Sequence, residues 1–102
     1  MNVPSSKRIR VVSAATDIAP YEDVILLVDG TYTVTLPDPG RCPNHSIAIR
    51  AVDFSTAWAG TVTMACESGA LGWSNGTFDA CTDLIEYHSD GVSWINSGST
   101  GV

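Results

Sequence analysis

Two histidines, eleven carboxylates and three cysteines are the groups in this chain best suited to acid–base, nucleophilic or metal chemistry. Their spacing argues against each in turn. His45 follows Asn44 in a proline-rich stretch, and His88 lies in an alternating segment just before Asp90-Gly91. Neither falls in a G-x-S-x-G or comparable nucleophile setting, so both read as ordinary surface or interface residues. Asp79 with Asp83, or Asp83 with Glu86, supply the two carboxylates that glycoside hydrolysis needs. In so acidic a chain any two carboxylates look paired, and no segment is long enough to wall a groove. Asp79, Asp83 and Asp90-Gly91 lack the D-x-[DN]-x-[DN]-G spacing of a calcium loop. Cys42, Cys66 and Cys81 contain no C-x-x-C, which removes the usual zinc and redox signatures. Their favoured reading is buried thiols, ahead of a Cys66–Cys81 bridge or an interchain bond. The expectation is a protein without catalytic residues, metal or cofactor, and not an enzyme.

What remains is a chain built to be buried. Its 102 residues make one domain with a thin core. Hydrophobic residues are 44% of it and charged residues only 16%. That is more apolar content than a small core hides, which points to burial between subunits. The formal net charge of −6 is uneven. Lys7, Arg8 and Arg10 lie in an acid-free first ten residues, while the rest of the chain sets Arg41 and Arg50 against eleven acids. An acidic body repels nucleic acid and anionic membrane, so neither is an expected partner. MNVPSSKRIR has no apolar h-region and no run is long enough to span a bilayer, so synthesis in a cytoplasm is expected.

The elements that would position these residues are strands. Val24 to Val28 is a continuous apolar run, too short for a helix, and reads as a strand buried on both faces. Asp29-Gly30 carries turn chemistry. Thr31, Thr33 and Thr35 then alternate with Tyr32, Val34 and Leu36 until Pro37 stops the ladder. Together they predict a β-hairpin over Glu22 to Pro37. Arg8 to Ser13 is a possible first strand with Ile9 and Val11 inward. Ser46 to Val52, Gly60 to Cys66, Asp83 to Ser89 and Val92 to Asn96 alternate similarly, the last two joined by a tight turn at Asp90-Gly91. Beyond the recurring Asp-Gly turn, internal repetition is weak. The division expected is a basic arm over residues 1–10, a single β domain over 11–96 and a polar tail over 97–102.

The order DVILLVDGTYTVTLPDP, SIAIRAV, GTVTMAC and LIEYHSDGVSW resembles small β-structured modules of bacteriophage virions. Such modules occur in tail fibres and tailspikes, and as head fibres or capsid decoration proteins. The likeness spans Asp23 to Trp94. It implies an all-β protomer, a small β-sandwich or jelly-roll of six to eight antiparallel strands, assembled as a homotrimer. Within that family, 102 residues from Met1 are expected to be too few for an attachment domain, a shaft and a receptor-binding tip. A decoration (cement) protein, gripping the major capsid protein on the outer surface of the virion, is therefore the favoured expectation. The alternative is a tail-fibre or receptor-binding module contacting a host glycan or protein.

On this reading Lys7, Arg8 and Arg10 are the candidate capsid contacts. Val24, Leu26 and Val28 are candidates for the subunit interface, joined by Trp58 and Trp73, which lie in loop-like, glycine-flanked text. Trp94, on an alternating strand, is expected in the core.

Overall fold

The computed structural model describes residues 8–52, 58–69 and 77–100. Nine strands lie among them: β1 (Ile9–Val12), β2 (Thr16–Asp17), β3 (Val24–Leu27), β4 (Tyr32–Leu36), β5 (Ser46–Ala51), β6 (Val62–Cys66), β7 (Thr77–Phe78), β8 (Leu84–Ser89) and β9 (Trp94–Thr100). A single 3₁₀ turn, Pro39–Arg41, follows β4. Asp38 opens it by accepting a hydrogen bond from the Gly40 N–H at 3.0 Å. Period-two alternation sets the faces. Ile47, Ile49 and Ala51 of β5 are buried, as are Val62 and Met64 of β6 and Ile85 and Tyr87 of β8.

The strands form a five-stranded sheet in the order β1-β3-β5-β8-β9 and a four-stranded sheet in the order β2-β4-β6-β7. Buried side chains from both sheets make one cluster, with Trp94, Tyr87 and Phe78 its largest members. The radius of gyration, 13.3 Å, matches the roughly 13 Å of a compact domain of this length.

Three expectations are corrected. The sheets are mixed, not antiparallel, and hold nine strands among the described residues rather than six to eight. Pairings β1–β3, β3–β5, β2–β4 and β4–β6 are parallel, while β5–β8, β6–β7 and β8–β9 are antiparallel. The cause is that the first six strands alternate between sheets, so neighbours within a sheet are reached by crossing the other one.

The hairpin over Glu22 to Pro37 is not formed, because β3 and β4 belong to different sheets. The favoured two-residue hairpin turns need φ > 0 at the first central residue or at both, and neither Asp29 nor Gly30 has it. Asp29-Gly30 is instead a corner carrying the chain from one sheet to the other. The Asp29 carboxylate accepts hydrogen bonds from the backbone N–H groups of Ala59 and Gly60 at 2.9 and 3.0 Å, stacking the next corner onto the first. The two corners touch so closely that a Cβ on Gly60 would sit 2.3 Å from the Gly30 carbonyl.

The third correction concerns β1. Ile9 and Val11 face out, 65% and 61% exposed, and Val12 is the residue that reaches the core. The register explains it: Arg10 and Val12 lie beside Ile25 and Leu27, which point inward.

Candidate interaction surface

The outward face of the five-stranded sheet is the most distinctive surface of the molecule. Register places Ile9 beside Val24 and Val11 beside Leu26. It then places Val24 beside Ala48 and Leu26 beside Arg50, with Glu86 and Leu84 next in line on β8. An apolar band thus runs across β1, β3 and β5 and meets two charged residues, Arg50 on β5 and Glu86 on β8. There a shallow hollow of about 190 Å³ is lined by Ala48, Ile49, Arg50, Leu84, Ile85 and Glu86. That is below the roughly 300 Å³ at which small-molecule sites begin, so the face is suited to a surface rather than a buried ligand. Arg50 has no ionic partner among the described residues.

Of the residues singled out from sequence, the structure brings Val24 and Leu26 together on this face, half-buried. Val28 lies just past β3, half-buried, where its N–H donates to Val12 O at 2.9 Å and its carbonyl accepts from the Tyr32 hydroxyl. Trp58 sits elsewhere, half-buried against the core, with its indole Nε1 buried and, among the described residues, lacking a hydrogen-bond partner. Trp73 and Lys7 lie outside the described residues. Arg8 is exposed, and its backbone N–H donates to Asp23 Oδ2 at 2.9 Å. Arg10 lies within β1 and pairs with Glu22 at 3.0 Å. Sequence reading missed Ile9 and Val11 as surface residues and Arg50 with Glu86 as the charged part of the face. The alternation was visible, but not which of its two phases pointed inward.

The titratable groups are mostly engaged in building loops. Asp83 is buried, and its Oδ2 accepts from the Asp79 and Ala80 N–H groups at 2.9 and 3.1 Å, which closes the loop ahead of β8. His45 Nε2 lies 2.7 Å from the Glu22 carbonyl and must carry the proton to make that bond. Asp23 stands 3.5 Å from the same nitrogen, and the Tyr21 ring meets the imidazole edge-on. His88 Nδ1 is 2.9 Å from Ser46 Oγ at the exposed margin of the sheet. A hydroxyl beside an imidazole is the start of a nucleophilic pair, but among the described residues no carboxylate lies within ion-pair reach of that ring. Cys42, Cys66 and Cys81 are free thiols, Cys42 buried and its pKa raised by that burial.

Among the described residues no group of three or more His, Cys, Asp or Glu side chains is placed to hold a metal, and no helix is long and apolar enough to cross a membrane. No protein-family model and no curated protein matches the chain.

Proposed function

We propose that this chain is a structural virion protein, a bacteriophage capsid decoration protein that binds the outer face of the shell and stabilises it. The observation that carries the reading is the outward apolar band, with Ile9 and Val11 more than half exposed beside Val24 and Leu26. Covering such a band recovers about 25 cal/mol for each Å² removed from water. The protomer is read as a sandwich that completes this burial by joining two further copies as a homotrimer, and then by seating on the major capsid protein.

The cationic stretch at Lys7, Arg8 and Arg10 supplies the grip, acting against an acidic patch on the shell. Stabilisation follows from mass action: a ligand that binds only the assembled shell favours it by RT ln(1 + [L]/Kd), and three linked copies add avidity. The protein would be made in the host cytoplasm and act on the particle exterior, with no catalytic residue, metal or cofactor.

The test is co-sedimentation with intact particles. Native protein is expected to pellet with them and raise their melting temperature. The Lys7→Glu, Arg8→Glu double variant should stay folded but remain in the supernatant. Equal pelleting of both would overturn the role given to the basic stretch. Binding to host cells with none to particles would favour a receptor-binding module instead.

A further inference from the structure

The outward face of the five-stranded sheet is nearly neutral on an acidic molecule. Among the described residues, its outward-phase strand positions carry one cation, Arg50, and one anion, Glu86, with His88 bonded to Ser46 at one margin. The formal net charge of the chain is −6, so its acids are held elsewhere. Asp29, Asp38 and Asp90 build corners and turns, and Glu22 is taken by Arg10. Acidic bodies repel one another, and this is the face on which they can meet with least like charge.

Arg50 and Glu86 do not satisfy each other. Register sets Arg50 beside Leu84 and Ala48 beside Glu86, which makes the two charges diagonal neighbours. Diagonal positions are roughly 7–8 Å apart, within reach of long side chains. Yet no ion pair joins them, and Glu86 Oε1 accepts from Ser97 Oγ at 3.1 Å on the β9 side. Both line the hollow of about 190 Å³ with Ala48 and Leu84, and the apolar band at Val24 and Leu26 abuts them. A purely apolar partner laid over this face would strand both charges out of water, which is costly for each ion. A partner of one charge sign would match one of them and oppose the other. What fits is an apolar surface carrying one cation and one carboxylate, and that is the make-up of this face itself.

We infer that this face binds the same face of a second copy, with Arg50 of one copy paired to Glu86 of the next. The methylene stem of Arg50 enters the hollow, its guanidinium forks onto the carboxylate, and Val24 and Leu26 of the two copies close over one another. This deepens the homotrimer of the proposed function and rests on that reading only for the number of copies. Around a three-fold axis each contact uses one Arg50 and one Glu86, so no charge is left over.

The experiment is sedimentation equilibrium of the full chain, native and with Arg50→Glu, Glu86→Arg or both. The two positions are exposed, so the melting curves should match the native one. Each single reversal sets like charges together and should weaken association at least about tenfold. The double exchange restores every pair and should return association to within about threefold of native. If a reversal lowers the melting temperature, Arg50→Gln and Glu86→Gln carry the test, and their double variant should lose no more than either single. A native chain that associates but ignores both reversals, a double exchange no better than the singles, or additive losses in the glutamine series would each overturn the inference. The homotrimer would then be left to another face. Mixing the two single reversals checks the number of copies. Alternating variants close a ring of two with every charge matched, whereas a ring of three must set two copies of one variant side by side. Recovery in the mixture would remove the trimer and keep the contact. A chain that associates through these residues but does not pellet with particles would remove only the decoration reading. A native chain that stays monomeric would overturn the contact and the trimer together.

Discussion

Gly60 shows how narrowly single positions are set. A Cβ there would lie 2.3 Å from the Gly30 backbone, which cannot move aside as a flexible side chain would. Gly60→Ala should therefore cost about 1–3 kcal/mol or more, read as a lowered urea midpoint with an unchanged slope. Trp94 is fully buried and donates from Nε1 to Pro37 O at 2.8 Å. Trp94→Phe leaves that carbonyl only the weaker Cys66 thiol at 3.6 Å and should cost about 1–2 kcal/mol, measured the same way. Tyr87 gives a pH signature. Burial raises its phenol above the ordinary value of 10.0, so the folded state holds the proton more tightly than the unfolded chain. The stability linked to that proton is intact below about pH 10 and is lost as pH climbs toward the raised value. Melting temperatures should fall above pH 10, and Tyr87→Phe should flatten part of the fall. Tyr32, also raised by burial, accounts for another part.

At the level of elements, two Asp-Gly dipeptides do different things. Asp90-Gly91 joins β8 to β9 as an antiparallel hairpin, with Gly91 at φ +91°. Asp90 accepts from the Val92 and Ser93 N–H groups at 2.8 and 2.7 Å, which holds its carboxyl below the usual range. Asp29-Gly30 has no positive φ and turns a corner between sheets. Gly91→Ala should thus cost about 1–2 kcal/mol through the left-handed backbone alone, visible as a drop in melting temperature. The corner has a second element stacked on it. Thr33 and Val34 of β4 lie beside Thr63 and Met64 of β6, so GTYTVTL and GTVTMAC occupy successive layers. The shared G-T-x-T was in plain sight, yet a single recurrence over so few residues does not separate a stacked repeat from two ordinary alternating strands.

Across the whole molecule, the core is complete within one chain while one sheet face is not. Trp94, Tyr87 and Phe78 fill the interior, and Val24, Leu26, Ile9 and Val11 form a band outside it. If that band is the surface that joins copies, Leu26→Glu should leave the monomer's melting curve nearly unchanged and shift sedimentation equilibrium from an associated species toward the 10.8 kDa protomer. A native chain that remains a 10.8 kDa species at high concentration would remove the homotrimer from the proposed function.

Local alternation was enough to place β5, β6 and β8, because period two depends only on the pleat of a single strand. Composition likewise marked the chain as richer in apolar residues than one thin core requires. Strand partners depend on contacts between residues far apart in the chain, and no local pattern carries them. Whether Asp29-Gly30 folded back or crossed over was decided by the Gly60 corner it packs against, thirty residues on. Whether Ile9 or Val12 faced the core was decided by the register with β3. The tertiary structure alone fixed these choices, since each turns on which of two locally equivalent arrangements finds a neighbour to bury it.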